Sequence, residues 1–528
     1  MRSLLSILFV TLCFIATAQI SRGPYLQSGT DTSMIIRWRT ATAALCTLKY
    51  GTDLNAQNSV LSETSATTEH ELKAGILLPF TKYFYSIYDG STLQAGDSTF
   101  FFITNPVAGT VQPVHCWIIG DMGNASQNQL NVRDMYWDSV RNNRHTDVWL
   151  WTGDNVYSDG TDQEYQDKMF EIYPKIFRNT VACPAPGNHD YGAIDALTHD
   201  GPYYQNFTMT KNGEAGGVPS GQEGYYSFNY GNVHFISLNS ENFLWVFSST
   251  SDMANWLRAD LAANTQPFVI AYWHQPPYTR GSHDSDDAFG RMYFMRTNIN
   301  PILEQYGVDL VLNGHSHNYE RSYLIKGHYG NANTFDPFSM VVNNASGKLS
   351  AGEAYTKYTV GPNANMGTVY TVIGNSGQSS SGNPLDHPVM YYDEQGTCGF
   401  MTIDVNGLQL DAKYFDQAGV LKDNFTIIKS ANNPSGVKSL VDEIAELNIF
   451  PNPFSTDLQI DMNMVSSQNL QIDLMDIQGK SAIQVYSGKI SAGKNSLRMN
   501  TEDLAKGNYI VRIKSPLLGG ITRLVTLQ

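Results

Sequence analysis

Positive charge is scarce in this chain. Its 34 lysines and arginines stand against 49 aspartates and glutamates, leaving a formal net charge of -15 at pH 7. Such a field repels polyanions, which excludes a general affinity for nucleic acid or an anionic membrane surface and leaves room only for a local cationic site. Long apolar runs are missing beyond the first eighteen residues. No later segment reaches the ~18 consecutive apolar residues of a membrane-spanning helix, so a soluble or surface-attached exported product is expected. Cysteine is scarce as well, with five in 528 residues. Cys46, Cys116, Cys183 and Cys398 are widely separated, and spacing fixes no pairing among them; buried thiols are the expectation.

Apolar content is ample. At 42% hydrophobic and 12% aromatic, the chain can bury large cores, and its length suits about three domains of roughly 100–200 residues each. Its opening, "MRSLLSILFVTLCFIATA", has Arg2, a short apolar run and a small-x-small ending at Ala16 and Ala18. That is the pattern of a cleaved secretory signal, expected over residues 1–18.

Residues 19–107 predict a β-sandwich. In "SMIIRWRT" the apolar Met34, Ile36 and Trp38 alternate with Ile35, Arg37 and Arg39, a half-buried strand pattern. Residues 110–430 alternate apolar strands ("VHCWII", "DVWLWT", "VHFISL", "PFVIAYW", "VDLVL") with amphipathic helices. One of these, "SDMANWLRADLAAN", sets Met253, Trp256, Leu257 and Leu261 on one face behind a Ser/Asp cap. This is a layered α/β pattern. A polar, turn-rich connector over 431–445 precedes a β-rich module at 446–528 punctuated by glycine and proline. The stretch "LLPFTKYFYSI" resembles the tyrosine-corner region of fibronectin type III domains. The segments "NIFPNPF", "LAKGNYIVRI" and "TRLVTLQ" resemble the C-terminal sorting domain of type IX secretion, which implies the type IX machinery as a partner and a secreted or surface-attached product.

Strand ends in the α/β segment lead into metal-ligand residue types. "WIIGDMG" delivers Asp121, "WLWTGDNVY" delivers Asp154 and Tyr157, and "CPAPGNHD" delivers Asn188 and His189. "VIAYWH" delivers His274, and "VLNGHSHNYER" delivers His315 and His317. Sites in α/β sheets form beyond the carboxyl ends of strands, so these loops are expected to converge. Glycine precedes four of the clusters and is expected to permit their tight turns. Singly, a Gly-Asp is usually a turn and a strand-end histidine a hydrogen-bonded residue; the argument rests on the set.

The set, in this order, resembles the metallophosphoesterase superfamily, and in particular the purple acid phosphatases, which also carry an N-terminal fibronectin-like domain. The resemblance implies an α/β metallophosphoesterase sandwich, two central sheets flanked by helices, with a β-sandwich before it and a small β-sandwich after it. It implies a dinuclear centre. Asp154 would bridge; Asp121, Tyr157 and His317 would complete one site, and Asn188, His274 and His315 the other. Mixed oxygen and imidazole donors suit iron, zinc or manganese. A phenolate at Tyr157 favours ferric iron, paired with a divalent Fe, Zn or Mn. His189 and His283 match family positions that contact phosphate or leaving group, and Glu320 and Arg321 match supporting ones. Asp190 stands where the family usually has glutamate. The expected function is a secreted acid phosphatase acting on small phosphate monoesters. Phosphodiesters, nucleotides or pyrophosphate are rival substrates, and a surface binding protein with a vestigial metal domain is a rival class.

Overall fold

The computed structural model describes residues 19–528 apart from 193–195, 288, 344, 362, 432–439, 478–479 and 516–517. The expected signal peptide and most of the expected linker lie outside the described residues.

The chain divides into two compact units, one of residues 1–107 with 170–182 and one of 108–169 with 183–528. In the first, strands Ile20–Gln27, Ser33–Ala44 and Thr67–Gly75 form one antiparallel sheet. Cys46–Gly51, Ser59–Ser62, Lys82–Asp89, Thr92–Ala95 and Phe101–Ile103 form the other. Leu26, Ile36 and Trp38 from the first sheet pack with Leu48, Tyr85 and Ile87 from the second. The tyrosine-corner bond is present: Leu78 N donates to the Tyr83 hydroxyl at 2.9 Å.

Strict alternation fails in Ser33–Ala44. Met34, Ile36 and Trp38 are buried as expected, but Ile35 and Arg37 on the opposite face are each only 8% exposed. Residues 170–182 belong to this unit rather than to the α/β segment that the sequence assigns them to. There Phe170 meets Tyr25 at 4.8 Å and the Arg22 guanidinium at 4.4 Å, and the Arg37 guanidinium lies 5.8 Å from the Tyr25 ring. The outer face of the sheet is therefore roofed, and its arginine stems pack as apolar surface.

The second unit is built on two seven-stranded sheets. One runs Ala182–Pro184, Val148–Trp151, Val114–Ile119, Gly399–Asn406, Gln409–Asp416, Leu421–Ser430, Tyr355–Tyr358. The other runs Tyr226–Tyr230, Val233–Ser237, Phe268–Tyr272, Leu310–Asn313, Val369–Ile373, Tyr319–Ser322, Met390–Glu394. Val148–Trp151 pairs in parallel with Val114–Ile119, and the four strands from Val233 to Ile373 pair in parallel with one another. Every residue of these six strands is buried. Parallel strands covered on both faces need such continuous apolar runs. Between Val233–Ser237 and Phe268–Tyr272 lies the helix Asp252–Ala263, capped by Ser251, with Met253, Trp256, Leu257 and Leu261 inward as expected.

The last module also has two sheets, Ile444–Phe450, Asp457–Met464 and Gly493–Asn500 against Ser481–Ile490, Gln468–Asp476, Gly507–Ser515 and Gly519–Leu527. It begins earlier than the sequence predicts. Leu440 and Ile444, placed in the expected 431–445 linker, are buried in its core, and Leu440 N donates to Leu518 O at 2.9 Å. Its connector composition hid two anchoring side chains. All four cysteines of the described residues are buried.

Candidate metal centre

Asp121 follows Val114–Ile119, Asp154 follows Val148–Trp151, His274 follows Phe268–Tyr272, and His315 follows Leu310–Asn313. Their loops turn sharply, and the left-handed backbone falls largely on the candidate ligands themselves: Asp121 at φ 54, Asp154 at φ 48 and His315 at φ 69. Of the glycines preceding the clusters only Gly153 is left-handed. The others permit close approach instead. A Cβ on Gly187 would lie 2.1 Å from Asp154 N, and one on Gly314 2.5 Å from Asp121 Oδ2. Such contacts leave no room for any side chain.

His274 organises one half of the centre. Its Nδ1 lies 3.0 Å from Thr152 O, an acceptor only, so Nδ1 carries the hydrogen. Nε2 then faces Asn188 Oδ1 at 3.1 Å, Asp154 Oδ2 at 3.2 Å and His315 Nδ1 at 3.2 Å. Four electron-pair donors converge on a gap that suits a cation. Burial opposes charge on His274, but Asp154 and then Asp121 carry its pKa up to about 10, so without a cation Nε2 keeps a proton toward Asp154, and a bound cation would displace it. Burial likewise opposes charge on Asp154, and His274 holds that carboxyl at about 2. Burial and the neighbouring His274 and His283 hold His315 well below the ordinary imidazole range, leaving it a neutral donor.

Tyr157 organises the other half. Its hydroxyl lies 3.0 Å from Asp121 Oδ1, 3.2 Å from Asp154 Oδ2 and 3.4 Å from His317 Nε2. Asp154 thus touches both halves through Oδ2, while its Oδ1 accepts from His189 N at 2.8 Å. Asp121 is steadied by His315 N, at 3.1 and 2.9 Å from its two oxygens.

His189 and His283 pack against different members of the cluster. The His189 ring packs 4.6 Å from Tyr157 and its Nδ1 lies 2.7 Å from Ser158 O, which leaves Nε2 free, 3.9 Å from Asp154 Oδ2. His283, exposed, stacks on His315 with centroids 3.9 Å apart. Asp190, at the position where the resemblance leads one to expect glutamate, is buried and fully engaged. It accepts from Tyr165 Oη at 2.6 Å, Gly187 N at 2.7 Å and Asn155 Nδ2 at 2.9 Å, clamping the loop that carries Asn188. Burial, then the Asp154 charge, pushes its pKa to about 7.

The residues after His317 serve as anchors. Arg321 meets Asp423 bidentately at 2.6 and 3.0 Å. Glu320 accepts from Asn318 Nδ2 at 2.9 Å, from Arg280 N at 3.3 Å and from the Thr279 hydroxyl, tying the loop that bears His283 to the one that bears His315 and His317.

Two side chains near the cluster escaped the sequence reading. Gln378 Nε2 is 3.2 Å from His317 Nε2, and the buried Glu241 accepts from Gln275 Nε2, beside His274, at 3.1 Å. Each follows a parallel strand, Val369–Ile373 or Val233–Ser237, so the strand-end criterion extended to all residue types would have found both.

Residues 114–319 match the calcineurin-like phosphoesterase family model, and residues 448–525 match the secretion system C-terminal sorting domain. Purple acid phosphatase 21 of Arabidopsis thaliana is 30% identical over 256 residues, which is 48% of this chain and 53% of that protein. The match thus spans about half of that relative's length. Acid phosphatase type 7 of Danio rerio is 25% identical over 450 residues, 77% of this chain and 90% of the relative. The structure of a purple acid phosphatase from yellow lupin (Lupinus luteus) seeds aligns with a TM-score of 0.60 at 17% identity, over 78% of this chain and 75% of that one, a likeness of fold.

Proposed function

Because this chain carries a calcineurin-like phosphoesterase domain with purple acid phosphatases among its relatives, we propose that it is a dinuclear-metal acid phosphatase that hydrolyses small phosphate monoesters after export. The observation that carries this reading is the sharing of Asp154 Oδ2 between His274 Nε2 and the Tyr157 hydroxyl. Asp121, Asp154, Tyr157 and His317 would hold one cation, ferric at the phenol, and Asp154, Asn188, His274 and His315 would hold a divalent Fe, Zn or Mn.

When bound, the metal pair supplies concentrated positive charge that draws in phosphate oxygens and acidifies an attacking water. The chain's own residues do the rest. Asp154 fixes the separation of the two halves, and Thr152 O keeps His274 turned so that Nε2 faces inward. Ser158 O takes the Nδ1 hydrogen of His189, leaving Nε2 to hold the proton that the departing alkoxide needs. His283, stacked on His315, serves the leaving group as well. The sorting domain delivers the enzyme to the type IX machinery, released or surface-attached.

Metal analysis beside monoester and diester assays tests the reading. Asp154→Asn lowers metal content at both sites and abolishes hydrolysis, since a neutral amide bridges poorly; full occupancy with normal turnover refutes the bridge. Alanine at His189 or His283 keeps the metals and slows poor leaving groups most. An equal loss on activated aryl phosphates argues against proton donation, and preferential diester turnover moves the substrate to the rival class.

A further inference from the structure

The N-terminal sandwich holds a second set of metal-ligand side chains. Cys46, Glu63 and His70 each offer one ligand atom, and the three atoms lie within 4.8 Å of one another. Cys46 and His70 are each 1% exposed. Glu63 presents its two oxygens to His70 Nδ1 at 2.8 and 3.0 Å, and its Oε2 also accepts from Cys46 N at 2.8 Å.

Thr40 Oγ1 lies 2.9 Å from Thr42 O and 2.8 Å from His70 Nε2. With its proton on Thr42 O it accepts from Nε2–H, and that tautomer turns the Nδ1 lone pair toward Glu63 and suits a metal; with its proton on Nε2, Nδ1–H donates to the Glu63 carboxylate.

Two observations favour the metal. The Cys46 sulfur joins the same gap, where a hydrogen bond from Nδ1 to the carboxylate has no use for it. Trp38 supplies the second. Its indole is 1% exposed and stacks on His70 with centroids 4.8 Å apart and planes 4° apart, yet its Nε1 lacks a hydrogen-bond partner among the described residues. Burial raises the Cys46 thiol to about 11, and the Trp38 N–H acts against that rise, as a donor facing sulfur does. A metal-bound thiolate is the acceptor this indole lacks.

We propose that Cys46 Sγ, His70 Nδ1 and a Glu63 oxygen form a structural site for a divalent cation of the zinc class. Water completes the tetrahedron past the half-buried Glu63. Binding breaks the S–H bond: the sulfur lone pair goes to the metal and the proton leaves to solvent. Thiolate and imidazole together select zinc over magnesium or calcium. With the metal bound, Thr40 accepts from His70 Nε2–H and donates to Thr42 O, which holds the ring in its ligating tautomer.

The test uses the full chain loaded with Co²⁺. Cobalt bound to a thiolate gives a charge-transfer band in the near ultraviolet, and none of the residues assigned to the phosphatase centre is a cysteine. Among the described residues no other cysteine joins such a cluster. The wild type should show the band. Cys46→Ser should abolish it and lower bound metal by one equivalent while phosphatase turnover persists. His70→Gln, whose amide can still donate to Thr40, should also lose one equivalent and serves if the serine variant does not fold. A wild type without the band overturns the site in favour of the Nδ1–H hydrogen bond to Glu63, as does unchanged stoichiometry in either variant.

Discussion

A phenol enclosed by carboxylates resists ionisation. Burial, then Asp121 and Asp154, push Tyr157 well above its ordinary value of 10.0, so only a strongly acidic cation can hold it as phenolate near neutral pH. A ferric ion bound there absorbs visible light. The protein should be violet to pink, and Tyr157→Phe, which keeps the ring and deletes the donor oxygen, should bleach it and weaken iron retention while the domain stays folded. A fully metallated, colourless wild type refutes ferric–tyrosinate ligation. Tyr157, like the other candidate ligands, was legible because aspartate, asparagine, histidine and tyrosine recur at strand ends in a recognisable order. Gln378 and Glu241 were not, since an amide or a glutamate outside a motif announces nothing until the chain folds. Nor does sequence reveal that Asp121, Asp154 and His315 adopt the left-handed backbone that the neighbouring glycines were expected to take.

Elements were legible in proportion to how local their signals are. The parallel strands of the α/β segment read correctly because burial on both faces writes an unbroken apolar run. Ser33–Ala44 misled because its second face is covered by residues 170–182, a contact no local pattern encodes. The tie between the Thr279 loop and the strand Tyr319–Ser322 belongs to this scale. Burial pushes Glu320 from its ordinary value of 4.5 to about 7, against its bonds from Thr279 and Asn318. The folded state therefore keeps a proton that the unfolded chain releases near 4.5. Stability from this group is full below about 4.5 and is lost as pH rises through about 7. Glutamine cannot ionise. Glu320→Gln should remove a loss of about 3 kcal/mol between those limits, flattening the wild-type decline measured by urea unfolding at stepped pH. Identical slopes in the two proteins would sink the assignment.

At the scale of the whole molecule, the sorting-domain match and the candidate metal centre lie in separate stretches of chain. The sorting domain matches 448–525, and none of the candidate ligands falls beyond His317. The cut that respects the fold is before Leu440, whose burial with Ile444 completes the C-terminal core. Removal of residues 440–528 should leave phosphatase activity intact and trap the enzyme within the cell envelope; normal release into the medium refutes the sorting role. That boundary was misread because a serine- and asparagine-rich connector conceals where its first anchoring leucine lies.

The strands that carry Asp121 and Asp154 also hold an indole ladder. Trp117 and Trp149 stack at 5.2 Å, and Trp149 meets Trp151 edge-on at 4.8 Å, three residues before Asp154. The rings are buried, on the strands that precede Asp121 and Asp154, close enough in sequence to serve as antennas for a metal held there. Excited under ultraviolet light, they should pass their energy to an iron–phenolate chromophore and darken as iron enters, yet stay bright when zinc takes the same place. Tryptophan emission would then report which metal occupies the proposed centre.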